Sequence, residues 1–261
     1  PPLISRLREW DRRTAVRPSV FIANSREVAG RIARHYGRTA RVVNPPVAVE
    51  RFTASAERDD AWLIVSRLIP YKRVDLAVEA FTRLGMPLTI IGDGPARTDL
   101  ERRAGPTIRF LGRRPDPEVA AHLATCRGLI FPGEEDFGIV PLEANAAGRP
   151  VVAYRGGGAL ETVIEGRTGL FFDERAPESL AAAVLRAEEI SWDQAALQEH
   201  AARYREESFH EALLTEIGVA LRATRRRAAE RDGVSGLDLD HDRAVGNGDG
   251  DRADPVELLN R

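Results

Sequence analysis

The feature that most constrains this chain is the alternation between residues 61 and 189. Short apolar runs lie at 61–66, 87–92, 107–112, 127–132, 150–154 and 169–172. Each is followed by a stretch with helical apolar spacing, at 74–84, 97–104, 116–126, 140–147, 159–164 and 177–189. Runs such as AWLIVS and PLTIIG are apolar at nearly every position, as a strand buried on both faces must be. Strand and helix in strict turn exclude a helical bundle and an antiparallel sandwich. The expected fold class is α/β, a Rossmann-like parallel sheet with helices on both faces.

Outside this core the text changes character. Residues 1–56 carry 11 Arg against 4 acids, and 232–261 carry 3 Arg against 8 acids. Between them, 57–231 holds 24 basic and 28 acidic groups. SVFIANS (19–25) reads as an apolar run ending in a helix cap at Ser25, with the helix running to Tyr36, and ARVVNPPV (40–47) as a strand stopped by prolines. ERFTASAERDD (50–60) reads as a linker. Residues 191–231 are expected to form further helices, the last over 206–231. Residues 232–261 are expected to be a disordered acidic tail. NGDGD (247–251) lacks the Glu at the twelfth position that a calcium loop needs, so no metal site is expected there.

With 43% hydrophobic and 30% charged residues the chain has the composition of a soluble protein, and no run of 18 apolar residues is present. The basic, proline-led start does not read as a secretory signal, and the lone methionine is Met86, so the chain is expected to be a fragment. The single cysteine, Cys126, is expected to be a small buried hydrophobe. Acidic balance in the centre and no aromatic–basic interleaving argue against a nucleic-acid partner. A cytoplasmic location is expected, with a peripheral contact to the inner face of the membrane left open.

In an open parallel sheet, ligands bind beyond the C-terminal strand ends, so the loops there carry the chemistry. Of the 38 cationic side chains in the sequence only Lys72 is a lysine, and it stands in such a loop, SRLIPYKR (66–73), with Arg67. A guanidinium fork and a compact ammonium suit a diphosphate in complementary ways; the plainer alternative is two exposed loop cations. EEDFGIVPLE places Glu135 and Glu143 eight apart, one in a loop and one at or near the first turn of a helix begun by Pro141. Paired carboxylates accept hydrogen bonds from sugar hydroxyls, and Gly138 permits close backbone approach. The plainer alternative for Glu143 is an acid favoured by the helix dipole. RGGG (155–158) is either a flexible turn or a close approach to phosphate or sugar, and Glu161 beyond it reads as a first-turn acid.

These residues resemble the family 4 retaining nucleotide-sugar glycosyltransferases, which have the GT-B fold. Glu135 and Glu143 match that family's pair of glutamates with seven residues between, SRLIPYKR matches its Arg and Lys, and IGDGP and FLGR match its landmarks. The text of 131–163 is most similar to mannosyltransferases of O-antigen and exopolysaccharide assembly. The resemblance covers roughly residues 1–190.

It implies that 57–190 is the donor-binding Rossmann-like domain and that 1–56 is a remnant of the N-terminal acceptor domain plus linker. It implies transfer of a hexose, mannose foremost, from a donor such as GDP-mannose to a glycan or lipid-linked acceptor, with retention. No cofactor or metal is expected, and the chain alone is expected to be inactive. Arg67, Lys72 and Glu135 would be catalytic, with the two cations on the diphosphate and Glu135 on the sugar. Glu143 would take the ribose, Gly112 and Arg113 would lie near the base, and the backbone of Phe137, Gly138, Ile139 and Val140 would complete the site. The alternatives are a non-catalytic nucleotide-sugar-binding remnant and another GT-B enzyme, such as a nucleotide-sugar epimerase.

Overall fold

A computed structural model describes residues 2–231. The chain divides into two units, 1–218 and 219–261. The first opens with helix α1 (Pro2–Thr14), strand β1 (Phe21–Ala23), helix α2 (Arg26–Tyr36) and strand β2 (Ala40–Val42). β1 and β2 pair in parallel as a separate two-stranded sheet. Ser25 caps α2 as its sequence predicts, its Oγ accepting from the Val28 N–H. α1 was not foreseen: it leaves Leu3, Leu7 and Trp10 exposed, so its apolar spacing reports no core in this chain.

Next come β3 (Trp62–Val65), α3 (Val74–Leu84), β4 (Leu88–Ile91), α4 (Arg97–Arg103), β5 (Ile108–Gly112), α5 (Asp116–Thr125) and β6 (Leu129–Phe131). They are followed by α6 (Ile139–Ala146), β7 (Val151–Tyr154), α7 (Ala159–Thr162), β8 (Gly169–Phe172), α8 (Pro177–Glu188) and α9 (Gln194–Ala202). α10 (Glu206–Arg231) begins in the first unit and supplies what is described of the second. The expected acidic tail at 232–261 and its NGDGD stretch lie outside the described residues.

β3 to β8 form one parallel sheet in the order β5-β4-β3-β6-β7-β8. The chain runs outward from β3 to β5, then returns to lay β6 against the other side of β3. Two apolar clusters cover the two faces, and the strand pleat sorts side chains between them. Trp62, Ile64, Ile90, Ile130, Val152 and Phe172 face a layer that includes Phe81 of α3 and Val184 of α8. Leu63, Ile91, Leu129, Phe131, Val151 and Phe171 face Leu123 of α5, Leu142 of α6 and Ala201 of α9. Full burial of each large aliphatic side chain stabilises by roughly 1.5–3 kcal/mol, which is why these strands are apolar at most positions. No described helix is long and apolar enough to cross a membrane.

The stretch read as a linker is fastened from behind. Arg149 is 1% exposed. Its Nη2 donates to Ser55 O at 2.9 Å and Glu57 O at 3.4 Å, and its Nε donates to Ala124 O at 3.1 Å. Carbonyl dipoles rather than a carboxylate meet the charge, and burial lowers the guanidinium pKa. Cys126 is buried as expected, and desolvation pushes its thiol up to about 12, which leaves it inert as a nucleophile. Arg149→Met strips these carbonyls of their donor, and urea denaturation should show a loss of about 2–3 kcal/mol. A loss within experimental error would mean that water replaces the guanidinium at no penalty.

Candidate functional site

The return of the chain to β3 leaves the C-terminal ends of β3 and β6 side by side, with loops leaving in opposite senses. The loop after β3 carries Arg67 and then a single 3-10 turn, Pro70–Lys72. Arg73 closes that turn at φ 52°, the one non-glycine residue with positive φ among those described. The loop after β4 is pressed against this one. A Cβ on Gly92 (φ 137°) would sit 1.8 Å from Ser66 O, so only glycine fits. Gly92 N–H donates to Gly112 O at 2.9 Å, which ties in the loop after β5.

Between these loops and α6 lies a cavity of about 880 Å³. Its wall includes Arg67, Gly94, Arg113, Arg114, Asp116 and Glu143. Arg51 and Phe52 of the former linker close its far side, and Arg51 Nη2 stands 2.8 Å from Asp116 Oδ2. Glu143 is half-buried, and desolvation raises its carboxyl pKa, opposed by the nearby Arg51 charge. α6 begins at Ile139, one residue earlier than expected, which sets Glu143 just past the first turn and leaves no acid in that turn. A favourable helix dipole therefore does not account for it.

The structure does not bring Glu135 and Glu143 into one cavity. Glu135 lines a second one, of about 360 Å³, with Tyr71, Arg31, Arg73, Asp136 and Arg175 among its walls. Lys72 is in neither lining but holds Glu135. Its ammonium is paired with the Glu135 carboxylate, and the two side chains are 14% and 28% exposed. Their loops are packed to contact: a Cβ on Gly133 would meet Lys72 backbone at 2.8 Å. A loop of three residues separates Glu135 from the start of α6.

The remaining predicted positions divide into lining and support. Gly138 (φ 89°) precedes α6, whose first N–H groups have no side-chain cap. Ile139 is 40% exposed and Val140 is half-buried beside the apolar cluster. Phe137 is buried, its ring centroid 5.8 Å from that of Tyr204, so its side chain is core. Gly112 lies beneath Arg97, 3.0 Å from its Nη1 to a Cβ built there. The glycines of RGGG face protein. Gly158 N–H donates to Glu135 O at 2.7 Å, and a Cβ on Gly158 would meet the Phe137 backbone at 2.2 Å. The triple glycine lets this loop brace the Glu135 loop.

Glu161 is more than a first-turn acid. Its Oε1 accepts from Arg26 N–H at 2.7 Å and Glu27 N–H at 3.4 Å, so it caps α2 across 135 residues. Tyr204 OH donates to Glu161 O at 3.1 Å, and buried His200 contacts Thr162 O through Nε2 at 3.0 Å. Burial lowers the His200 pKa, so it is a neutral core histidine. Arg31 and Arg51 lie outside the strand-end loops and escaped the sequence argument, because in an arginine-rich chain such an arginine carries no distinguishing pattern; Arg114, Asp116 and Arg175 lie in or at the end of the loops after β5 and β8 but were not singled out there.

Gly158→Ala leaves backbone dihedrals allowed but puts a methyl into the Phe137 backbone. Circular dichroism should report an intact fold, while proteolysis or hydrogen exchange should show the 133–138 loop loosened. A loop as protected as in the wild type would contradict the brace.

Residues 49–208 match the family model described as glycosyl transferases group 1. The chain is 32% identical to the GDP-mannose-dependent alpha-(1-6)-phosphatidylinositol monomannoside mannosyltransferase of Mycolicibacterium smegmatis, over 61% of this chain and 50% of that protein. It is 31% identical to the D-inositol 3-phosphate glycosyltransferase of Geodermatophilus obscurus, over 63% of this chain and 44% of that one. The chain thus spans about half the length of these curated relatives. Among solved structures, Anabaena HepE in complex with UDP and glucose superposes with a TM-score of 0.68 at 21% identity, over 77% of this chain and 63% of that chain. That likeness concerns the fold.

Proposed function

Because the chain belongs to the group 1 glycosyl transferases, we propose that it forms the donor-binding half of a retaining hexosyltransferase that uses GDP-mannose. The observation that carries this is the set of Arg67, Arg113 and Glu143 around one cavity at the strand-order reversal, with Lys72, from the same loop as Arg67, paired with Glu135. The mycolicibacterial relative's name favours mannose and guanine over other sugars and bases. The acceptor would be a glycan or a lipid-linked intermediate.

In this proposal the nucleotide occupies the larger cavity. Glu143 accepts hydrogen bonds from the ribose hydroxyls, and Arg113 and Gly112 flank the base. The diphosphate runs along the 67–72 loop toward Lys72. Arg67 offers it a fork and Lys72 a point charge. The uncapped N–H groups at the start of α6, at Ile139 and Val140, add partial positive charge. When the glycosidic C–O bond breaks, the leaving diphosphate gains negative charge, and cations already in place stabilise it without a metal. Loss of one such group lowers the rate by about 10²–10³. Lys72 exchanges Glu135 for phosphate on donor binding, which frees the carboxylate for the sugar hydroxyls.

Calorimetric titration with GDP, UDP and ADP tests this. GDP should bind most tightly, and Lys72→Arg should bind it about tenfold more weakly, because a planar fork cannot replace a compact ammonium between two loops in contact. A folded chain that binds no diphosphate, or Lys72→Arg binding as the wild type does, would contradict the assignment.

Glu143→Gln should separate affinity from stability. The folded carboxyl has a raised pKa, so its ionised form weakens the fold at neutral pH, and that penalty is relieved as pH falls through the raised value. The variant should therefore melt higher than the wild type at pH 7, with the difference shrinking toward pH 4.5, yet bind GDP about tenfold more weakly. A lower melting temperature at pH 7 would contradict the buried-carboxylate account.

A further inference from the structure

The loop that carries Glu135 is gripped from two sides, and the two grips share one residue. On one side lies α2, which belongs to the first 56 residues of the chain. On the other lies the RGGG loop with α7 behind it.

The start of α2 has the stronger contact. A helix leaves its first N–H groups without partners inside the helix. Glu161 Oε1 accepts from the Arg26 and Glu27 N–H groups, and Ser25 Oγ accepts from that of Val28. The Glu161 side chain is 12% exposed, so backbone donors and the positive end of α2 meet its charge in place of water. Arg26 is 86% exposed, and its Nε stands 3.9 Å from Glu161 Oε2, too far for a hydrogen bond. A carboxylate held this way fixes where α2 begins and in which direction it leaves.

One turn along α2, Arg31 pairs with Asp136, the neighbour of Glu135. Its Nε stands 3.6 Å from Glu27 Oε1 on the preceding turn. An ion pair with side chains 40% and 59% exposed holds little by itself. It gains direction because the cap has already seated the helix that carries Arg31. From the other side, Gly158 N–H donates to Glu135 O at 2.7 Å, and Glu161 N–H donates to Gly158 O at 2.9 Å. The residue that caps α2 is therefore bonded through one glycine to the loop that α2 grips.

We infer that Glu161 and Arg31 are positioning residues for the Lys72–Glu135 pair. Glu161 seats α2, Arg31 on the seated helix pins Asp136, and the pinned loop presents Glu135 to Lys72. The pair's role toward the donor rests on the proposed function; the positioning stands on these contacts alone.

Lys72 is the only lysine in the sequence, so isotope labelling of lysine gives a single side-chain NMR signal that reports on the pair. Glu135→Gln removes the partner charge and marks where the signal of an unpaired ammonium lies. In the full chain without nucleotide, Glu161→Ala and Arg31→Gln should each move the wild-type signal toward that mark. Glu161→Gln keeps an acceptor oxygen for the Arg26 N–H and should move it less. GDP affinity should fall about two- to tenfold as the signal moves. Arg149→Met, which loosens the fold elsewhere, should leave the signal in place. Where Glu161→Ala does not fold, Arg31→Gln, a change at a partly exposed side chain, decides alone. A signal unmoved in the folded variants, or moved as far by Arg149→Met, would overturn the inference. GDP titrated into the same samples reads the donor assignment separately. A signal that moves in a chain that binds no GDP would overturn that assignment and leave this one standing.

Discussion

The return of the chain to β3 is the constraint on which the rest depends. With β6 laid against β3, the loops that follow the two strands diverge and leave a gap that no crossover covers. That gap admits a ligand only if the loops beside it are held apart and held still. Backbone contact does this. The loop after β4 presses on Ser66 through Gly92, the 156–158 loop presses on Glu135 and Phe137 through Gly157 and Gly158, and Gly133 presses on Lys72. Charged side chains then need only to lean over an edge that the backbone has already fixed, and pre-set charges of this kind need no reorganisation when a ligand arrives.

Most of the fold was legible because burial on both faces leaves an unambiguous record. A strand with no polar position, such as 62–65, has few other ways to exist in water, and the six strands and their helices fall within a residue or two of the positions read from the text. Arg67, Lys72 and Glu143 were legible as strand-end or helix-start groups. What could not be read is whatever depends on side-chain reach between distant segments. Glu161 looked like a first-turn acid because its partners, the first N–H groups of α2, lie 135 residues away. Arg149 looked like one arginine among many, although it is the bolt behind residues 55–57. The spacing of Glu135 and Glu143 suggested one shared cleft, but the turn at Gly138 directs them into two cavities.

The solitary lysine gains a physical explanation from its surroundings. Its backbone is in contact distance of Gly133, and its ammonium must fit between Glu135 and the ring of Tyr71. A guanidinium is broader, planar and directional, and it would hold Glu135 in a fixed fork. An ammonium turns freely and can pass from a carboxylate to a phosphate with little rearrangement. Under the proposed function, the pair would work as a placeholder. It would keep a half-buried cation neutralised until a diphosphate took over, and it holds the carboxylate next to the second cavity.

The measurement that tests this account most directly is a crystal structure of the chain with GDP bound. The account predicts the ribose at Glu143, the diphosphate between Arg67 and Lys72, and the Lys72–Glu135 pair opened. A diphosphate bound elsewhere, or one bound with that pair intact, would contradict it.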